Sequence, residues 1–378
     1  MAFAVGLMSG TSLDGIDAAL VEINGTGTET QVKLKEFLTY SFTKETIYRI
    51  KENLSLQTSS VEKICSLNFE LGYLFADAVK AVCKNADFPL ESLDFVASHG
   101  QTLYHLPSPK EAQFASTLQI GESAIICEET KTTVVSDFRT RDMALKGQGA
   151  PIVPYSEFVL YQDAHRTRLL QNIGGIGNVT VMKANKTLED VIAFDTGPGN
   201  MIINALCEKF YEEKFDRNGH YAELGHVSNS LLYEMMAHPY IKKPYPKTTG
   251  REEFGTEYTE NLLTRWAEKI EPNDFIATAT MFTAKSIAEN IKLFIEDQTD
   301  LIVGGGGSYN KTLMNMLQKL LPTVQVKTQE EIGYSSEAKE AIAMTVLANQ
   351  TLHHLPSNAP SATGASKATL LGKVTYYE

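Results

Sequence analysis

The stretch GLMSGTSLDGIDAAL, residues 6–20, places apolar runs on both sides of a turn that is made of small and polar residues. Apolar residues run or alternate through 3–8 and again through 16–23, which is the pattern of two half-buried strands. A short connection rich in glycine between two such runs predicts a β-hairpin. The chain is therefore expected to begin with a hairpin.

The turn of this hairpin has the composition of an anion-binding loop. Gly10 and Gly15 allow backbone N–H groups to approach an anion closely, and three hydroxyl-bearing residues add donors: Ser9, Thr11 and Ser12. Asp14 could hold a hydrated Mg²⁺, which prefers carboxylate and phosphate oxygens. An ordinary turn that binds nothing would explain the same residues equally well, because turns favour them.

The pattern of hairpin, strand, helix and strand occurs twice along the chain. In the first half a helix is predicted over 61–84, and the second half opens with another hairpin, RLLQNIGGIGNVTVM, at 168–182. Two successive units of this kind predict duplicated α/β lobes with a ligand in the cleft between them. We expect a first lobe over 1–166 and a second over 167–378, with a final segment that can pack back on the first lobe.

Composition describes an ordinary folded protein of 378 residues, with 43% apolar and 21% charged residues. The excess of 46 acidic over 34 basic residues gives a net charge of −12, which argues against nucleic acid or an anionic membrane as the main partner. The four cysteines are dispersed and form no CxxC pair, which favours reduced thiols in a cytoplasmic protein. No basic leader precedes the first turn, and no apolar run approaches the length of a membrane span.

Three further turns follow predicted strands and share this glycine-rich, polar composition. They are NIGGIGN at 172–178, FDTGPGN at 194–200 and VGGGGSYN at 303–310. In the second of these, Asp195 ends a strand and faces the start of a helix, which is where α/β proteins bind and transform ligands. In the third, four consecutive glycines would let a flat ring lie on bare backbone. Asp195 could instead merely cap the helix that follows.

The common nucleotide-binding fingerprints are absent from this sequence. No GxxxxGK[ST] occurs, and the two closest approaches to GxGxxG place Tyr309 and Thr180 at the position of the last glycine. A P-loop protein and a dinucleotide-binding protein are therefore disfavoured.

Eight short motifs occur along the chain in a fixed order: GLMSGTSLDGID, SHGQT, TLQIGE, DFRTRDMALKGQGAP, NIGGIGN, FDTGPGN, TTGREEF and GGGG. This is the order seen in the anhydro-N-acetylmuramic acid kinases, which the chain resembles from about residue 5 to 375. The resemblance implies a two-lobed actin-like ATPase fold built from duplicated ribonuclease-H-like domains. It also implies ATP and Mg²⁺, and a reaction in which water opens a 1,6-anhydro sugar while the released O6 takes the γ-phosphoryl group. The small-molecule partners would be ATP, water and the anhydro amino sugar, and a homodimer is left open.

The resemblance also assigns residues. Asp195 matches the general base, Glu340 an acidic residue at the sugar site, and Asp14 is the expected metal ligand. The residues expected to bind the nucleotide are Gly10, Thr11, Ser12, Leu13, Asp14, Gly15, Ile16 and Asp17 in the first turn, Gly174, Gly175, Gly177 and Asn178 in the second, Gly197 in the third, and Gly304, Gly305 and Gly306 in the fourth.

Two further residues are expected at the sugar. His99 could bind it by a hydrogen bond, although a structural histidine fits equally well. Arg139 could meet the lactyl carboxylate of the sugar, because arginine favours bidentate carboxylate recognition, although an ion pair with Asp137 or Asp142 is the alternative. Near Glu340 the family's usual preceding proline is missing.

Two other functions are kept open. One is a sugar kinase that phosphorylates a free hydroxyl, and the other is a nucleotide-driven binding protein without enzymatic activity.

Overall fold

The computed structural model describes residues 1–10, 13–109 and 112–378, apart from the side chain of Arg251. The chain divides into two compact units. The first unit contains residues 1–161 and 337–378, and the second contains residues 162–336.

The described residues among the first 161 form six strands and five α-helices. The strands are β1 (Ala2–Ser9), β2 (Gly15–Asn24), β3 (Gln31–Ser41), β4 (Phe95–Leu106), β5 (Ser116–Ile120) and β6 (Val134–Ser136). The helices are α1 (Lys44–Leu54), α2 (Val61–Asn85), α3 (Ser123–Thr130), α4 (Thr140–Ala144) and α5 (Pro154–Tyr161). The predicted opening hairpin is present, since β1 and β2 pair antiparallel from Ala2 opposite Ile23 to Met8 opposite Asp17.

The second unit has the same kinds of elements. Its strands are β7 (Thr167–Ile173), β8 (Ile176–Met182), β9 (Ile192–Pro198), β10 (Thr299–Gly304) and β11 (Gln325–Thr328). Its helices are α6 (Met201–Tyr211), α7 (His220–Leu224), α8 (Asn229–Met236), α9 (Pro239–Lys242), α10 (Arg251–Phe254), α11 (Thr256–Trp266), α12 (Pro272–Ile291) and α13 (Lys311–Leu320). The last part of the chain adds α14 (Lys339–Leu352), α15 (Pro360–Thr363) and β12 (Lys373–Thr375) to the first unit.

The two sheets repeat one topology. In the first, the order is β12-β6-β4-β1-β2-β3, with β5 paired to β4, and in the second it is β11-β10-β7-β8-β9. In each sheet three consecutive strands form an antiparallel meander, β1–β3 in the first sheet and β7–β9 in the second. On the other side of β1 lie β4 and β6, and on the other side of β7 lie β10 and β11; both pairs run parallel to that first strand. This repetition confirms the predicted α/β class of duplicated, actin-like domains.

Apolar spacing explains how α2 packs on the first sheet. The helix begins after Ser60, whose side chain accepts a hydrogen bond from Lys63 N–H and so satisfies one of the free amides of the first turn. Leu67, Leu71 and Phe75 recur at helical spacing and are fully or almost fully buried in the core of the first unit. The helix predicted over 61–84 is therefore present, with its apolar side against the sheet.

The opposite side of the first sheet carries α14, and Gly6 is what allows the contact. A Cβ atom at Gly6 would lie 1.9 Å from the carbonyl oxygen of Ala341, so only glycine lets the helix come this close to β1. The helix itself is almost entirely buried between Ala341 and Thr351. The sequence counted residues 337–378 with the second lobe, as a chain end that can pack back on the first, and in the structure they belong to the first unit, because α14 packs on β1 and β12 pairs with β6.

Among the residues that the structure describes, no helix is both long and apolar enough to cross a membrane.

Candidate functional site

The first glycine-rich turn is held at both ends by the protein itself. Ser9 ends β1 and is 2% exposed, and its Oγ lies 2.7 Å from Oε1 of Gln101 and 3.1 Å from the carbonyl oxygen of Gly15. A Cβ atom at Gly15 would lie 2.5 Å from the carbonyl oxygen of Tyr40, so this glycine is required by the pairing of β2 with β3. Leu13 has a φ of 58°, in the left-handed region. Thr11 and Ser12, both predicted to bind the nucleotide, lie outside the described residues.

Negative charge gathers beside this turn. Asp14 is exposed, and Asp17 accepts a hydrogen bond of 2.6 Å from Thr39 Oγ1. Burial raises the pKa of Asp17, and the nearby charges of Asp14 and Glu337 raise it further, against the lowering by Thr39. No group of three His, Cys, Asp or Glu side chains that could hold a metal by themselves is found in 1–10, 13–109 or 112–378. Carboxylate oxygens such as those of Asp14 and Asp17 are of the kind that hydrated Mg²⁺ prefers as ligands.

His99 and Arg139 are in direct contact in the first unit. Arg139 Nε donates to His99 Nε2 over 2.9 Å, and His99 Nδ1 lies 2.8 Å from the carbonyl oxygen of Gly100. Burial first, and then the charge of Arg139, lower the pKa of His99 to about 4, so the ring is neutral and Nε2 is an acceptor. Both ring nitrogens are therefore used within the protein.

Arg139 has a second partner and an acidic neighbour. Its Nη1 donates to the carbonyl oxygen of Gly149 over 2.8 Å. Burial lowers the pKa of Arg139, while the charge of Glu340, which lies exposed in the first turn of α14, raises it. The ion-pair alternative for Arg139 is not the one found, because Asp137 pairs with Lys373 at 2.5 Å and Asp142 accepts from neutral donors. The structure thus brings His99, Arg139 and Glu340 together.

A cavity of about 670 Å³ opens beside the middle of β4 in the first unit. His99 and Gly100 line it, together with hydroxyl and amide side chains that include Ser98, Asn68 and Gln119. Ser98 is 1% exposed, and its Oγ has no hydrogen-bond partner among the described residues. A buried hydroxyl without a partner is costly, and a polar ligand in this cavity would satisfy it.

Asp195 lies inside β9 of the second unit, three residues before the strand ends, whereas the sequence predicted it at the end itself, and two hydrogen bonds orient it. Its Oδ2 accepts the N–H of Thr249 over 2.9 Å, and its own carbonyl oxygen accepts the hydroxyl of Tyr240 over 2.9 Å. No hydrogen bond to Oδ1 is found among the described residues. Burial raises the pKa of Asp195, and the Thr249 N–H only partly offsets this. A half-buried carboxylate with a raised pKa and one unused oxygen is suited to accept a proton.

The glycines of the second unit divide into two groups by the space around them. At Gly197 and Gly305, which have φ angles of 117° and 78°, an added Cβ would lie 2.5 and 2.6 Å from a neighbouring atom, so backbone and packing together require glycine there. At Gly177 and Gly304 it would lie 2.8 Å from Thr196 Oγ1 and 2.7 Å from the end of the Gln329 side chain, so only a side chain would have to shift. At Gly174 and Gly306 the nearest atoms would be 3.7 Å away, and at Gly175 the flexible end of Met201 would be 3.3 Å away. Packing alone does not require Gly306 to be glycine.

Gly306 borders a cavity of about 470 Å³ that lies wholly within the second unit. Its lining combines apolar and ring surfaces with amides, and includes Asn200, Phe215, Arg217 and Tyr309. The guanidinium of Arg217 lies 5.5 Å from the centre of the Phe215 ring. Such a mixture of planar and amide groups suits a flat heteroaromatic ring.

Sequence reasoning assigned no role to Thr249, Lys247 or Gly149, and it named Asp142 only as an ion-pair alternative for Arg139. Thr249 and the buried Lys247 flank Asp195, and burial lowers the pKa of Lys247 to about 8. Asp142 and Gly149 adjoin Arg139. Thr249 lies in the motif TTGREEF, which begins directly after Lys247, and Asp142 and Gly149 lie in the motif DFRTRDMALKGQGAP. A motif does not show which carboxylate a given backbone N–H contacts.

Comparison with known proteins gives a consistent result. The family model described as anhydro-N-acetylmuramic acid kinase matches residues 2–377. A relative of that name from Bacillus cereus strain AH187 is 54% identical over 379 residues, covering 99% of each chain. Another of that name, from Bacillus thuringiensis subsp. konkukian strain 97-27, is 52% identical over 379 residues with the same coverage.

Among solved structures, the activator of the 2-hydroxyisocaproyl-CoA dehydratase from Clostridium difficile with bound ADPNP matches with a TM-score of 0.45 and 11% identity. The match covers 92% of this chain and 94% of that one. This is a distant likeness.

Proposed function

Because this chain belongs to the anhydro-N-acetylmuramic acid kinase family, we propose that it opens 1,6-anhydro-N-acetylmuramic acid with water and phosphorylates O6 with ATP. The chain is a kinase of small molecules that uses ATP. In the proposed reaction the C1–O6 bond breaks, the oxygen of water bonds to C1, and O6 takes the γ-phosphoryl group. The products are N-acetylmuramate 6-phosphate and ADP, which is a step of cell-wall recycling.

Asp195 carries this proposal as the general base. Opening the anhydro bond requires a group that removes a proton from the attacking water, as an inverting glycosidase does. The Thr249 N–H fixes Oδ2 at 2.9 Å, so Oδ1 is the oxygen that would take the proton. The raised pKa of Asp195 makes its carboxylate a stronger base than an exposed aspartate.

The sugar is assigned to the His99 and Arg139 region of the first unit. Arg139 uses Nε and one N–H of Nη1 on His99 and Gly149, and its other N–H groups would bind the lactyl carboxylate. His99 is then a residue that holds Arg139, because both of its ring nitrogens already have partners. Ser98 Oγ and the adjacent hydroxyl and amide groups support a carbohydrate in the neighbouring cavity.

The nucleotide is assigned to the glycine turns. Gly306 would face the adenine in the cavity of the second unit, and the N–H groups of the first turn would bind phosphate. Asp14, with Asp17 beside it, would hold Mg²⁺, which supplies neutralisation of charge on the phosphates when bound. Location in the cytoplasm and the absence of nucleic acid as a partner stay predictions from the sequence, which leaves a homodimer open.

Mass spectrometry of the product formed from the anhydro sugar, ATP and H₂¹⁸O tests the function. We expect one ¹⁸O at C1 of the product and none in its phosphate. Label in inorganic phosphate without a phosphorylated sugar would mean simple ATP hydrolysis and would refute the proposal. A phosphorylated sugar that carries no ¹⁸O at C1 would favour a kinase acting on a free hydroxyl.

A further inference from the structure

Asp142 is a buried carboxylate that is bound by neutral donors. It lies in α4 and is 0% exposed. Its Oδ1 accepts Asn358 Nδ2 over 3.0 Å and Thr363 Oγ1 over 2.8 Å, and its Oδ2 accepts the N–H of Gly149 over 2.9 Å. Among the described residues it forms no ion pair. Burying a charge without a cation is costly unless hydrogen bonds compensate, so a purely apolar packing role would not need an aspartate here.

Gly149 connects this carboxylate to Arg139. Its N–H is bound by Asp142, and its carbonyl oxygen accepts Arg139 Nη1 over 2.8 Å. Gly149 has a φ of 69°, and a Cβ atom there would lie 2.7 Å from Met143 Cγ, so any other residue would be strained at this position. The position of the guanidinium therefore depends on a loop residue that Asp142 holds.

Asp142 also joins this loop to the end of the chain. Asn358 and Thr363 belong to a segment that follows α14, more than 200 residues away in sequence, and both donate to the same carboxylate oxygen. Asn358 is itself held, since its Oδ1 accepts Thr369 N–H over 2.7 Å. The network thus runs from the C-terminal segment through Asp142 and Gly149 to Arg139 and His99.

We propose that Asp142 is a positioning residue that orients Arg139 for the carboxylate of the sugar, and that it makes this orientation depend on Asn358 and Thr363 of the C-terminal segment. The proposal rests on the proposed function, because it takes Arg139 as the carboxylate-binding residue. Asparagine at position 142 would have one oxygen for these three donors, so either the Gly149 N–H or the donors of Asn358 and Thr363 would face an NH₂ group. The link between them would be broken, and the Gly149 carbonyl could turn away from Arg139. Binding of the sugar would weaken, and binding of ATP would not.

A double-mutant cycle with Asp142→Asn and Arg139→Met separates positioning from general stability. We expect Asp142→Asn to raise the KM for the anhydro sugar at least about tenfold, with less than about a twofold change in the KM for ATP. In the Arg139→Met background the same substitution should change the sugar KM less than about twofold, because the residue through which it acts is gone. Asp94→Asn is the matched control, since Asp94 accepts Phe3 N–H over 2.7 Å, before the start of β4 and away from Arg139.

Multiplicative effects of the two substitutions, or a parallel rise in the KM for ATP, would overturn the proposal. If Asp142→Asn does not fold, Thr363→Val removes one donor to the carboxylate and should produce a smaller rise in the sugar KM that again vanishes with Arg139→Met. A Thr363→Val enzyme that keeps the same sugar KM would refute the link to the C-terminal segment. Turnover by the wild-type enzyme is measured before any variant is made. Its absence would count against the proposed function, not against the positioning role of Asp142.

Discussion

Asp195→Asn should abolish turnover without lowering the stability of the protein. Asparagine has the size of aspartate, and its carbonyl oxygen can still accept the Thr249 N–H that now lies 2.9 Å from Oδ2. The Tyr240 hydroxyl binds the backbone oxygen of residue 195 and is unaffected by the change. The substitution therefore removes the charge and the basic oxygen and leaves the other contacts in place.

The effects on stability and on rate are expected to have different magnitudes. Because burial raises the pKa of Asp195, its ionised form is disfavoured in the folded state at neutral pH, and a neutral side chain avoids that cost. This gain offsets the weakening of the Thr249 hydrogen bond, whose acceptor is no longer charged, so the free energy of unfolding should change by less than about 1 kcal/mol. General-base catalysis supplies about 10²–10⁴ in rate, and the loss should be at the upper end because O6 accepts no phosphoryl group until the ring opens.

The assay measures kcat from ADP release with saturating anhydro sugar, together with the Kd for ATP by calorimetry and the Tm. We expect kcat to fall at least about 10³-fold, which is about 4 kcal/mol, while the Kd for ATP changes less than about twofold. Asp274→Asn is the matched control, because Asp274 is another carboxylate of the second unit that accepts a backbone N–H, from His226 over 2.6 Å. A folded Asp195→Asn enzyme that keeps more than about a tenth of the wild-type kcat would exclude Asp195 as the base.

Two more predictions follow from the surroundings of Gly306 and His99. Gly306→Val should raise the Kd for ATP at least about tenfold, or 1.4 kcal/mol, with little change in Tm, because the nearest atom to its Cβ is 3.7 Å away. Gly307→Val is the contrasting variant and should lower the Tm, since its Cβ would lie 2.3 Å from Ile173 Cγ2. An unchanged ATP affinity in the Gly306 variant would mean that no ring lies against Gly306. For His99, the folded pKa of about 4 lies below the ordinary 6.5, so the unfolded chain takes up the proton first as the pH falls. Stability should therefore be lost between pH 6.5 and about 4, by up to about 3 kcal/mol, and His99→Gln should reduce this loss in thermal unfolding followed against pH. An equal loss in both proteins would show that His99 is not the titrating group.

Local patterns in the sequence were enough to predict much of each sheet. The hairpin of β1 and β2, the helix α2 and the second hairpin of β7 and β8 follow from apolar spacing and from turns of a few residues. Each depends on neighbours within one turn of helix or one pair of strands, and so the chain itself carries the information. The four glycine-rich turns and Asp195 were recognised for the same reason, as short stretches whose composition is unusual at the end of a strand.

Tertiary structure alone decided which distant residues meet. The sequence identified His99 and Arg139 separately, but the 2.9 Å hydrogen bond between them joins residues 40 positions apart. The Thr249 N–H that orients Asp195 comes from 54 positions away, and Asp142 binds Thr363 across 221. No local pattern encodes such pairs, because they form only where sheet, helix and loop pack against one another. The position of α14 in the first unit has the same cause. The helix packs on β1 because Gly6 has no Cβ atom, and it lies more than 330 residues further along the chain.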